Sequence, residues 1–165
     1  MKNYMLIFMI GLFLIPFQVQ AQLLEVKQTV FGMDCAPCAY GLEKRIKQID
    51  GVQSASVSLN DGLLTTNLTK DNQLTLQRIR KAVEESGFKA KEANITVKGT
   101  VTQDKSGKLI LETIAGEQFT LKSEEQKTLD DISKAKGSVT ITGKAETSDE
   151  SGTKLWVDSV DKTKA

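Results

Sequence analysis

Hydrophobic and polar positions between residues 24 and 91 switch repeatedly between two periods. Leu24, Val26 and Val30 follow the two-residue repeat of a strand face, with Gln28 interrupting the series. Ala39, Leu42, Ile46 and Ile49 then recur at helical spacing, and Gly51 follows where a left-handed residue would end the helix. Ala55, Val57 and Leu59 alternate again, Asp61-Gly62 supplies a tight hairpin turn, and Leu64, Thr66 and Leu68 alternate back. Leu76, Ile79 and Val83 mark a second amphipathic helix that stops at Gly87, after which Phe88 and Ala90 begin a last short strand.

The predicted order is βαββαβ, a split βαβ or ferredoxin-like unit. After Glu92-Ala93-Asn94, too short for a flexible tether, the pattern turns to strands with one helix. Ile95, Val97 and Val101 alternate; Leu109 and Leu111 follow the Lys105-Ser106-Gly107 turn; Phe119 and Leu121 follow Gly116. Ser123 and Gln126 have capping-box spacing ahead of Leu129, Ile132 and Ala135, with Gly137 as the stop. Val139 and Ile141, then Leu155 and Val157, complete two more strands. Three strands, a helix and two strands are the order of a small five-stranded Greek-key barrel of OB type, with an open sheet plus helix as the alternative. Gly99 and Gly143 sit mid-strand, where a barrel must bend. The expected fold class is therefore α+β, with one domain over 22–93 and a second over 94–165.

The first residues stand apart from both patterns. Lys2 precedes an apolar run from Tyr4 to Phe17, and Val19-Gln20-Ala21 has the small-residue character of a cleavage site. Residues 1–21 thus read as a signal peptide, too short in their apolar stretch for the roughly 20 residues of a membrane span. No cysteine follows the cut, which argues against a lipid anchor, and export to the periplasm or beyond is expected, with no membrane association after cleavage. Cleavage removes Lys2 and brings the 22 basic residues of the whole chain level with its 21 acidic ones. A neutral surface offers no phosphate-attracting field, so nucleic acid and anionic membrane are poor partners. The second domain offers only Phe119 and Trp156 as aromatics, too few for a base-stacking platform.

Soft chemistry has one place to occur. Cys35 and Cys38 are the only cysteines, and the chain contains no histidine. Pro37 suits a first helical position, which puts Cys35 in the loop before the helix and Cys38 in its first turn. Sulfurs three residues apart across that turn can converge. Unpaired N–H groups at a helix start favour thiolate, lowering a cysteine from about 8.5 into the range of about 3.5 to 7.5. Asp34 opposes this, because a carboxylate beside Cys35 disfavours further negative charge. Two sulfurs cannot make a closed four-ligand zinc site, whereas they suit soft ions, Cu(I) foremost and Hg(II) equally well in chemistry. The competing readings are a structural disulfide and a thiol-disulfide oxidoreductase, although the latter usually carries an aromatic residue before its first cysteine.

Gly32-Met33-Asp34-Cys35-Ala36-Pro37-Cys38, together with Gly87-Phe88-Lys89-Ala90, resembles the heavy-metal-associated domain. That family includes copper chaperones, metal-binding modules of copper-exporting ATPases and the periplasmic mercury-binding protein; the resemblance covers residues 24–91. It implies a metallochaperone-like, non-enzymatic protein that binds Cu(I), or alternatively Hg(II), through Cys35 and Cys38. It also implies that Met33 points into the core beneath the loop and that Phe88 lies beside the site. The expected partner is a metal-transporting ATPase or another metal-binding protein. Asp34 and Pro37 depart from the family pattern, in which threonine is common at the first position and proline is unusual at the second. Lys44, Arg45 and Lys47 read first as a solvated helix face and second as a docking patch for an acidic partner. The second domain's resemblance to a periplasmic OB module transfers no site residues. Asn67-Leu68-Thr69 and Asn94-Ile95-Thr96 match the glycosylation pattern without further support.

Overall fold

The computed structural model describes residues 22–135, 138–148 and 152–162. The expected signal peptide (1–21) and the helix stop at Gly137 lie outside these residues. The elements run β1 (Gln22–Phe31), α1 (Ala36–Lys47), β2 (Val52–Ser58), β3 (Leu63–Leu68), α2 (Leu76–Glu85) and β4 (Lys89–Gly99). They continue β5 (Val101–Gln103), β6 (Leu109–Glu112), β7 (Gln118–Lys122), α3 (Gln126–Ser133), β8 (Val139–Ser148) and β9 (Gly152–Lys162).

The first half has the predicted βαββαβ order. Its strands lie side by side as β2-β3-β1-β4, every neighbouring pair antiparallel. Helices α1 and α2 bury Leu42, Ile46, Ile79 and Val83 in the same core as Val26, Val30 and Leu64. Burying a side chain of this size contributes about 1.5–3 kcal/mol, so this face is the main stabilising term of the half.

In β1 the core face holds Leu23 rather than the expected Leu24. A register shift against β4 between Leu23 and Glu25 inserts an extra residue, which moves Leu23 onto the face of Val26. Gln28 is buried instead of interrupting the face. Its amide donates to the carbonyls of Lys91 and Glu92 at 2.9 and 3.1 Å beside a second register shift, satisfying acceptors the ladder leaves free. Leu59 falls outside β2 and is exposed, because the turn takes four residues, closed where Ser58 donates to Asp61 at 2.6 Å.

The largest difference is β4. A short strand was expected there, but eleven residues from Lys89 to Gly99 form one strand that runs straight through position 93. It pairs with β1 on one edge and with β8 on the other, joining both halves in one nine-stranded sheet, β2-β3-β1-β4-β8-β9-β7-β6-β5. From β4 to β5 that order contains one parallel pair, β7 with β9. β4 and β5 stand at opposite ends of this six-strand run, yet only Thr100 separates them in the chain. Two trans peptide steps span less than about 8 Å, so the run must curl until its ends meet.

Gly143 lies where β8 shifts register against β9, and a Cβ there would collide with the carbonyl oxygen of Trp156. The backbones approach so closely that only glycine fits. In α3 the expected capping box does not form. Glu125 is the N-cap and makes no side-chain cap bond; Ser123 Oγ sits two residues too early and accepts from the Glu125 N–H at 3.2 Å.

Two side chains lock the halves together. Arg80 of α2 donates to Gln28 Oε1 at 3.3 Å and to the carbonyls of Lys91 and Ala145, both at 3.4 Å. Glu117, in the turn between β6 and β7, reaches the start of α2 and accepts from the N–H groups of Leu76 and Gln77 at 2.8 and 3.4 Å. Burial pushes the Glu117 carboxyl up, against the opposing pull of those two N–H groups and of Arg80.

Two outcomes are expected. Gly143→Ala should lower stability by at least about 2 kcal/mol in urea unfolding, since a rigid backbone atom rather than a side chain must move. Glu117 binds its proton more tightly folded than unfolded, so its contribution to stability should fall as pH rises from 4.5 through its raised value. Unfolding curves across that window should therefore show Glu117→Gln gaining on the native chain as pH rises; parallel curves would contradict the assignment.

Candidate metal centre

The loop between β1 and α1 is built to present two sulfurs at a helix start. Gly32 takes a φ of 90°, a left-handed conformation that turns the chain away from the sheet. Cys35 is the N-cap, extended at φ −138° and ψ 144°, and its sulfur accepts from the backbone N–H of Cys38 at 3.2 Å. The helix begins at Ala36, so Pro37 occupies the second helical position rather than the expected first. The missing N–H costs nothing at either place, because first-turn N–H groups have no partner within the helix.

Cys35 and Cys38 are joined as a disulfide, with Cα atoms 5.2 Å apart and no free cysteine remaining. Both residues are half-buried. On reduction, the Cys38 N–H that now donates to Cys35 Sγ becomes a donor to thiolate at a helix start, the electrostatic setting that favours the charged form. Among the described residues no group of three or more His, Cys, Asp or Glu side chains is placed to hold a metal ion. Two sulfurs are therefore all that this loop can offer a soft ion, and any third thiolate must come from another molecule.

The surrounding residues divide into floor, wall and rim. Met33 is the floor: at 6% exposure it belongs to the core under the loop. Phe88 is a wall, packed against that core and lining a shallow groove with Cys38, Ser86 and Arg45. Asp34 is exposed beside Cys35. The rim also holds Phe31, 63% exposed at the end of β1, with the Lys91 ammonium 5.7 Å from its ring centre. Phe31 was missed in the sequence, although its place one residue beyond the buried Val30 marks it as outward-facing. Tyr40 of α1 is 68% exposed.

Lys44, Arg45 and Lys47 all lie in the last turn of α1. Arg45 pairs with Glu85 of α2 at 2.7 Å and Lys47 with Glu43 at 2.6 Å, so two of these cations are partly matched within the chain. Glu43 also accepts from the Val57 N–H at 3.3 Å, and the bond from Lys47 leads the influences that draw its carboxyl below the ordinary value. In the other half, Trp156 is half-exposed and donates to Glu146 at 3.0 Å.

The fold order and a helix-start cysteine pair define a heavy-metal-associated domain; that family matches residues 28–89, and the chain belongs to it. It is 32% identical over 62 residues to the copper chaperone CopZ of Staphylococcus saprophyticus, a match covering 38% of this chain and 90% of that protein. It is 37% identical over 73 residues to human copper-transporting ATPase 2, covering 44% of this chain but only 5% of the ATPase. Among solved structures, a CopZ metallochaperone matches 41% of this chain and 98% of its own at 27% identity, with a TM-score of 0.39.

Burial assigns Met33 to packing, which separates it from the cysteines in a measurable way. Met33→Ala should cost about 2–5 kcal/mol in chemical unfolding while leaving the number of reactive thiols per reduced chain unchanged.

Proposed function

We propose that this protein is an exported carrier that takes up Cu(I) on Cys35 and Cys38 after an external dithiol reduces their disulfide, itself becoming oxidised by exchange, and that it passes the ion on by thiolate exchange. The observation that carries this reading is the cysteine pair at the start of α1, with Cys35 as N-cap, in a heavy-metal-associated segment. Two sulfurs with no third protein donor hold a soft ion while leaving it open to attack by an incoming thiolate, which suits transfer better than storage or catalysis. The names of the matched relatives, a copper chaperone and a copper-transporting ATPase, favour copper as cargo. Hg(II) fits two sulfurs on chemical grounds alone and is the alternative cargo.

The receiving partner is then a metal-binding domain of a transporter, or another metal-binding protein, that presents its own thiolates. Phe31 and Tyr40 offer it exposed aromatic area beside the loop, and Lys44 offers positive charge. The apolar run and Ala21 support export, with residues 1–21 as signal peptide and the periplasm or the exterior as destination. We further read the curled run β4-β8-β9-β7-β6-β5 as a five-stranded barrel of OB type, β4 and β5 acting as one bent strand. The parallel pairing of β7 with β9 and the placement of α3 before β8 support that reading.

A second reading has one observation in its favour. The bonded sulfurs of Cys35 and Cys38 would be the resting form of a thiol-disulfide oxidoreductase using Cys35 as its attacking thiolate. Both readings meet in one pair of assays. Anaerobic titration of the reduced chain with Cu(I) against a competing chelator should saturate at about one ion per chain, the capacity of a single two-thiolate site. Cys35→Ser should abolish that uptake, and the native chain should show negligible turnover in insulin reduction. Tight binding that survives Cys35→Ser, or steady turnover of insulin, would refute carriage through this pair.

A further inference from the structure

We infer that Glu117 is a positioning residue for the cysteine site, acting on it from the opposite half of the molecule through helix α2. This inference rests on the carrier reading and names a residue that tunes the same site.

The path runs through hydrogen bonds and helix α2 as far as Phe88, and its last step to Cys38 is a groove wall that the two residues share. Thr113 and Glu117 close the β6–β7 turn through the Thr113 N–H to the Glu117 carbonyl at 2.9 Å and the Glu117 N–H to Thr113 Oγ1 at 3.2 Å. Thr113 is buried, so the turn holds the Glu117 backbone firmly. The carboxyl then receives the first two N–H groups of α2, Leu76 and Gln77, while Thr75 Oγ1 receives the third, from Arg78, at 3.1 Å. A helix start leaves these donors without intrahelical partners. Two of the three are met here by a residue forty positions away in the other half, alongside the local cap of Thr75.

Helix α2 delivers that constraint to the sulfurs. At its far end Glu85 pairs with Arg45 of α1, the helix that starts at the cysteine pair. Ser86 Oγ bonds back to the Ala82 carbonyl at 2.7 Å, and the N–H groups of Gly87 and Phe88 bond to Glu84 and Val83 at 2.9 and 3.3 Å. Phe88 is thus fastened to the last turn of α2 by its own backbone, and its ring lines the groove shared with Cys38. Loosening the start of α2 frees the wall beside one of the two sulfurs. The second half of the chain therefore serves the site by holding one of its walls.

The test uses the full chain with Glu117→Ala, Glu117→Gln and Glu117→Asp. Three quantities are read: amide exchange along α2, the alkylation rate of the reduced thiols without metal, and Cu(I) retention against a competing chelator. Glu117→Ala should speed exchange at Leu76 and Gln77, change the alkylation rate, and weaken Cu(I) retention about three- to tenfold, below the roughly 10- to 100-fold loss of a residue bonded directly to a metal ligand. Glu117→Gln, which keeps an acceptor oxygen, should restore most of each effect. Glu117→Asp keeps the charge but withdraws it by one methylene, and carries the test if the alanine variant does not fold. Faster exchange with unchanged alkylation and unchanged retention would make Glu117 a structural anchor only and overturn the inference, as would unchanged exchange. If the native chain binds no Cu(I), the carrier reading fails alone, because exchange and alkylation still decide whether Glu117 positions the thiols.

Discussion

A β-strand has two edges, and in this molecule both edges of β4 are occupied by different halves of the chain. Its Lys89–Lys98 stretch pairs with β1, while Ala93–Gly99 pairs with β8. From that double pairing follow the single sheet, the curl that brings β5 back to β4, and the placement of Arg80 and Glu117 across the seam. The hydrogen bonds of Arg80 to Lys91 and Ala145 span the two neighbouring strands at that seam.

The cysteine loop uses another elementary constraint, the unpaired N–H groups of a helix start. In α2 such groups are spent on Glu117, a structural use; in α1 one of them meets the sulfur of Cys35. The same electrostatic feature thus fastens one helix and prepares the chemistry of the other. Bonding between the sulfurs and binding of a soft ion draw on the same electron pairs, so the two states exclude each other. The oxidised pair is the unloaded state of the proposed carrier as well as the resting state of the competing oxidoreductase reading.

Much of this was legible in the chain because the relevant forces are local. Helical spacing at Leu42 and Ile46, or at Ile79 and Val83, reports a buried stripe wherever it is packed, and all four are fully buried. The cysteine pair was legible for a similar reason, since N-cap and first-turn positions are set by residues within one turn. What escaped depended on pairing between distant residues. A register shift moves Leu23 inward and Leu24 out, and nothing near Leu24 announces that Val97 pairs with Leu23 and Thr96 with Glu25. Gln28 looked like a fault in a strand face until the carbonyls of Lys91 and Glu92 supplied its reason. Ser123 shows the opposite error: the spacing for a capping box is present, but the helix begins two residues further on, with Glu125 as N-cap, and the motif goes unused. Glu117 could not have been found, because its role is defined by a helix forty residues upstream.

The uninterrupted course of β4 also decides where this chain can be cut. Modules joined by a linker can be exchanged between proteins, since a cut there leaves two closed surfaces. A cut at position 93 would instead open a ladder on each product, exposing Leu23 and Val26 of β1 on one side and Ile141 of β8 on the other as templates for foreign strands. Proteolysis at the apparent boundary would therefore yield two fragments, each carrying an open strand edge in place of the one shared ladder.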